Sequence, residues 1–114
     1  MITIDQVRKA ALLLPETEEK PHFHLTSFRI KNKIFATIHA DKNYLMVSLT
    51  PIDQSVFCAF DKNVIFPVPG AWGKKGATFI DLKKVRKSML NDALQVAWKT
   101  KAPAKLVLLY FGKE

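Results

Sequence analysis

The stretch LTSFRI-KNK-IFATIH-ADKN-YLMVSL, residues 25–49, decides the fold. Three runs rich in β-branched, aliphatic and aromatic residues, Leu25 to Ile30, Ile34 to His39 and Tyr44 to Leu49, are separated by two short polar connections. Those connections, Lys31-Asn32-Lys33 and Ala40-Asp41-Lys42-Asn43, carry Asn and Asp, which tolerate left-handed backbone. They therefore read as hairpin turns, and the three runs as consecutive antiparallel strands. The middle run sets Ile34, Ala36 and Ile38 against Phe35, Thr37 and His39, the alternation of a strand with one face more buried than the other.

On the N-terminal side lies a helix with a complete start signal. Thr3 and Gln6 have the spacing of a capping box, and Ile2 and Val7 that of a hydrophobic staple. Ile4, Val7, Ala11 and Leu14 share one face, and Pro15 ends the helix after Leu14. Glu16 to His24 reads as a loop or short strand. On the C-terminal side Thr50 is an N-cap with Pro51 at the first helical position, opening a helix through Phe60. Strands follow at Val64 to Val68 and Ala77 to Leu82, joined by the loop Pro69 to Gly76 with Trp72 at its centre. The last helix runs from about Arg86 to Lys101, with Leu90, Ala93, Leu94, Ala97 and Trp98 as its core face. The order is α-β-β-β-α-β-β-α, an α+β fold with an antiparallel sheet packed by helices.

The 114-residue length fits one domain, 1–114, and apolar and charged fractions of 48% and 25% are those of a globular chain. The longest apolar runs are a handful of residues, well short of the roughly 20 that span a bilayer. Met1 to Asp5 has no basic stretch leading into an apolar core, so no secretory signal is expected. Cys58 alone excludes an internal disulfide, and a reducing cytoplasm is the expected location. Charge is the oddity. Eighteen Lys and Arg against ten Asp and Glu give +8, although residues 1–19 are net −2. From Lys83 to Lys113 eight positive charges face only Asp92. Such an excess favours polyanionic partners, nucleic acid first, because each phosphate contact releases counterions.

Several strings, in order, resemble the MmcQ/YjbR family of small bacterial proteins. They are Glu19-Lys20-Pro21-His22, Ser27-Phe28-Arg29-Ile30 followed by Lys33-Ile34-Phe35-Ala36, Pro67-Val68-Pro69-Gly70-Ala71-Trp72-Gly73, and Gly76 leading into Asp81-Leu82. The likeness runs to about residue 105. It implies a YjbR-like α+β fold, related in shape to secretion chaperones, and a DNA-binding role with a double-wing arrangement. One departure is Ala77, where family members often carry an aromatic. Leu106 to Phe111, with the rest of 106–114, reads as a tail outside the shared pattern, expected to pack on the body or at a dimer interface.

The candidate nucleic-acid-binding residues are Lys20, His22, Arg29, Lys31, Lys33, Trp72, Lys74 and Lys75. Trp72 between glycines, beside Lys74 and Lys75, offers an aromatic plane with two cations; the same residues also suit core-edge packing with solvated charges. Arg29, Lys31 and Lys33 bracket the first hairpin, with Lys42 at the next turn. They suit phosphate contact or protection of a strand edge. Lys83, Lys84, Arg86 and Lys87 form the densest cluster, and oppose the dipole of the helix they start. His22 and His24 would share a strand face and could pair on a metal, but no cysteine lies near them. His22 fits an anion-accepting surface with Lys20 and Arg29 better.

No metal, cofactor or catalytic residue is expected. Cys58 sits between Phe57 and Ala59, where a thiol is usually inert filler. Pairing Ser27 or Thr26 with a histidine has no specificity, and Gly70, Gly73 and Gly76 lack a phosphate-loop context. The expectation is a sequence-nonspecific DNA-binding protein, monomeric or homodimeric, without membrane contact. The alternatives are a protein-interaction or chaperone-like module, or a protein that takes a small acidic ligand in a pocket between sheet and helices, gripped by Arg29 and His22.

Overall fold

The computed structural model describes residues 1–112. The elements are α1 (Ile4–Leu12), β1 (Thr17–His22), β2 (Leu25–Ile30), β3 (Lys33–His39), β4 (Tyr44–Ser48), α2 (Pro51–Phe60), β5 (Ile65–Pro67), α3 (Ala71–Lys74), β6 (Ala77–Asp81), α4 (Lys87–Lys101) and α5 (Ala104–Phe111). The strands form one six-stranded antiparallel sheet in the order β1-β2-β3-β4-β6-β5. The fold is α+β, and no helix among the described residues is long and apolar enough to cross a membrane.

Local chemistry explains most element starts. The Thr3 hydroxyl accepts from the Gln6 amide at 3.1 Å, and the Gln6 side chain accepts from the Thr3 amide at 2.8 Å, closing the capping box. Ile2 and Val7 are both buried, completing the staple. Thr50 caps α2 through the Asp53 amide, with Pro51 first in the helix. The β2–β3 turn holds Lys31 and Asn32 at φ +49° and +66°, two left-handed residues in succession, as a two-residue primed turn requires.

The core lies between the sheet and α1 with α4. Phe28 and Ile30, Ala36 and Ile38, Leu45 and Val47, Ile80 and Leu82 are buried there. They meet Val7 and Ala11 of α1 and the predicted face of α4, Leu90, Ala93, Leu94, Ala97 and Trp98. Trp98 is 0% exposed, and its indole N–H donates to the Pro15 carbonyl at 2.9 Å, so this large side chain is packed with its polar atom satisfied. α5 docks Leu106, Val107 and Phe111 on the same core, and Phe111 meets Trp98 edge-on. The segment from 106 is thus a packed helix as far as Phe111; Lys113 and Glu114 lie outside the described residues.

The structure adds to the order read from the sequence: the short helix α3 lies within the segment read as the Pro69–Gly76 loop, and α5 extends into the segment read as a tail. Three further features differ. β1 is a full strand although its sequence, TEEKPH, is polar. It is an edge strand, where charged side chains and Pro21 are tolerated because only one side is paired. The strict alternation of β3 is broken. Phe28 pairs with Ala36 and Arg29 with Ile34, so Phe35 bulges into the core. Ile34 consequently joins Thr37 and His39 on the face opposite Ala36 and Ile38. Finally, His22 and His24 do not share a strand face: residues 23–24 form the β1–β2 turn, with Phe23 at φ +58°.

Candidate functional site

The sheet face away from α1 and α4 forms the floor of a cavity of about 500 Å³. By register it carries Leu25 from β2, Ile34, Thr37 and His39 from β3, Met46 and Ser48 from β4, and Ala77 and Phe79 from β6. Leu49 and Val68 wall one end. Trp72 and Lys75 stand over that end from the α3 segment, Lys101 lines the cavity from the last turn of α4, and His22, which pairs with Leu25, borders the opposite end from β1. Among the described residues the lining includes no Asp or Glu. An apolar floor with only cationic or neutral polar groups around it suits a ligand with an apolar body and a negative charge.

The α3 segment is held by close backbone approaches that only glycine permits. A Cβ on Gly73 would collide with the Val68 carbonyl, and one on Gly76, which also has φ +114°, with the Leu49 carbonyl. Gln54 of α2 adds a lock. Its side-chain amide donates to Gly73 O at 2.9 Å, Ala77 O at 3.1 Å and Thr78 Oγ1 at 3.1 Å. The backbone beneath Trp72 is therefore fixed while the indole itself is 70% exposed, with the Lys75 ammonium 5.5 Å from the ring centroid. Core-edge packing is not the role of Trp72.

Two polar clusters complete the face. The Ser27 hydroxyl donates to Lys20 O at 2.7 Å and accepts from Arg29 Nε at 3.1 Å, while Arg29 Nη2 donates to Pro21 O at 3.2 Å. Arg29 thus lies across β2 toward β1, anchored to backbone and only partly available. Further along, His39 Nε2 lies 2.9 Å from Thr37 Oγ1, and its ring meets Phe79 edge-on. Burial, then the nearby Lys42, holds the His39 imidazole below its ordinary range.

The sequence-derived residues divide into three sets. His22, Trp72 and Lys75 line the cavity. Arg29, Lys33 and Lys74 lie toward the same end of the sheet, since β3 starts beside the end of β4, and Ser48 pairs with Ala77 just after the α3 segment. Lys20 and Lys31 are engaged with carboxylates, Lys20 with Glu18 at 3.9 Å and Lys31 with Glu16 at 3.1 Å. Lys42 lies at the opposite end of β3, in the β3–β4 turn, and does not join Lys31 and Lys33. The cluster Lys83, Lys84, Arg86 and Lys87 leads from β6 into α4, which starts at Lys87, and lines no part of the cavity. Sequence reasoning missed Lys101, Thr37, Met46, Ser48 and Phe79, which converge from three strands and a helix end. The signal for the strand members was their shared parity, obscured at Ile34 by the bulge.

The YjbR family model matches residues 12–100. The chain belongs to the YjbR family. The matched YjbR stretch contains the whole cavity floor, Trp72 and Lys75, and ends just before Lys101 and α5. A crystal structure of the Deinococcus radiodurans protein DR2400, assigned to the domain family DUF419, has the same fold. It superposes with a TM-score of 0.73 at 19% identity, covering 100% of this chain and 84% of that one. No curated protein matches the chain.

Proposed function

We propose that this YjbR protein binds nucleic acid, DNA in the first instance, without sequence preference, on the cavity-bearing face of the sheet. The observation that carries the reading is the lining itself: an apolar floor, an exposed Trp72, and Lys75, Lys101 and His22 around it, with no carboxylate among the described residues. Lys75 and Lys101 meet backbone phosphates, Lys33, Lys74 and Arg29 extend the positive field along one sheet end, and Trp72 stacks. No enzyme chemistry is proposed. The Ser27 hydroxyl is committed to Lys20 O, and burial pushes the Cys58 thiol above its ordinary range, away from the reactive thiolate.

The salt dependence of binding tests this reading. For a single strand each phosphate contact contributes about 0.7 to the slope of log affinity against log salt. Replacing Lys75→Gln and Lys101→Gln together should flatten that slope by about 1.4, so the affinity lost between about 50 and 200 mM salt shrinks roughly sevenfold. An unchanged slope removes both residues from the phosphate contacts. The cavity volume supports a second reading, a free aromatic or aliphatic carboxylate of small size. Thermal stabilisation by such an acid, with no binding of an oligonucleotide at low salt, would favour it.

A further inference from the structure

Resting on the nucleic-acid reading, we infer that the strand is engaged single-stranded, with an unpaired base laid face-on over the cavity floor beneath Trp72. The floor is lined by Leu25, Ile34, Met46 and Phe79, which supply hydrocarbon, thioether and phenyl, although Phe79 itself is only 7% exposed and has the Lys42 ammonium 5.8 Å from its ring centroid. Such a surface matches the face of a base, which is apolar and polarisable, and matches neither a phosphate nor the hydrogen-bonding edge of a base. Of the polar side chains on the floor, Thr37 and His39 share one hydrogen bond at 2.9 Å and the Ser48 hydroxyl donates to the Ile34 carbonyl at 3.4 Å, so each already has a partner within the protein.

In a duplex both faces of every base are covered by neighbouring bases, and only edges and phosphates are presented. A duplex on this face would contact the cations at the rim and leave the floor and the Trp72 indole without a partner, unless a base were flipped at the cost of its pairing and stacking. A single strand meets all three features together: phosphates on Lys75 and Lys101, one base on the floor, and Trp72 against that base or its neighbour. The fixed backbone under Trp72, wedged at Gly73 and Gly76 and bonded to Gln54, presents the ring without an ordering cost in the main chain.

The test is fluorescence anisotropy with a labelled mixed-sequence deoxyoligonucleotide, free and annealed to its complement, at one fixed low salt. The free strand should bind at least about tenfold more tightly than the duplex. Trp72→Ala should weaken the free strand by about 5- to 150-fold, the range of one lost stacking contact, while leaving any duplex binding unchanged. Trp72→Phe, which keeps a ring, should recover most of the loss. Because Trp72 is exposed, neither variant perturbs the core. Equal binding of both forms, insensitive to Trp72→Ala but weakened by Lys75→Gln with Lys101→Gln, would overturn this inference and leave the nucleic-acid reading standing. Binding of neither form would overturn both.

Discussion

Replacing Gln54 with leucine removes a side chain whose hydrogen bonds tie α2 to the Trp72 segment and to β6. The amide has two N–H groups shared among three acceptors, Gly73 O, Ala77 O and Thr78 Oγ1. Each acceptor keeps another partner: Gly73 O takes the Gly76 amide at 3.1 Å, Ala77 O the Val68 amide at 2.9 Å, and Thr78 Oγ1 still donates to Gly76 O at 2.8 Å. No buried acceptor is orphaned, so the desolvation penalty for an unpaired group does not arise. The loss is that of two net hydrogen bonds, about 1–3 kcal/mol. For a chain of this length that is a fall in Tm of roughly 4–12 °C. Urea unfolding followed by circular dichroism should show a lower midpoint with unchanged slope. Gln54→Glu should cost more above the carboxylate pKa, because an anion would then face the same acceptors. The reasoning fails if Gln54→Leu is as stable as the parent, or if Gln54→Glu equals Gln54→Leu at neutral pH.

Gly73→Ala should act on the same segment by force instead of by a lost bond. The new Cβ meets the Val68 carbonyl, so α3 must lift, at a cost of about 1–3 kcal/mol. The lift should also lower single-strand affinity as Trp72→Ala does; stability without loss of affinity would contradict it. His39 gives a pH signature. Its folded pKa lies below its unfolded value near 6.5, so its contribution to stability is present above that value and is lost on acidification through it. Between about pH 7.5 and 5.5 the stability of His39→Gln should therefore fall less than that of the parent, measured by urea unfolding. Once the pH falls below the depressed pKa of folded His39, an anionic ligand in the cavity should bind the parent more tightly than His39→Gln, since protonation adds a positive charge to the lining. A parent affinity that falls toward low pH would remove His39 from the site.

What could be read from the chain follows the reach of each signal. The capping box at Thr3 and Gln6, the Thr50-Pro51 start and the apolar face of α4 are local, and all three stand as the spacing predicts. The turn at Lys31-Asn32 is local too, because φ > 0 at two successive residues is a property of the turn alone. β1 escaped a firm reading because an edge strand needs no apolar alternation, only a neighbour such as β2 to bond with. The bulge at Phe35 is set by how the β2 and β3 ladders meet, which no periodicity within β3 discloses. The site was half legible: Trp72, Lys75 and His22 stand out by residue type. Lys101 is 26 residues from Lys75 in sequence and joins it only through the packing of α4. Lys20 and Lys31 were legible as cations, but not as cations already held by Glu18 and Glu16.

The central claim is that the cavity face, and not the basic start of α4, receives the nucleic acid. Titrating an ¹⁵N-labelled sample with a short deoxyoligonucleotide and following amide shifts in two-dimensional NMR tests it residue by residue. The account predicts the largest shifts at Leu25, Thr37, Met46, Ser48, Lys75 and Ala77, with the Trp72 indole resonance moving and that of buried Trp98 still. Shifts concentrated at Lys83, Lys84, Arg86 and Lys87, or none at low salt, would contradict it.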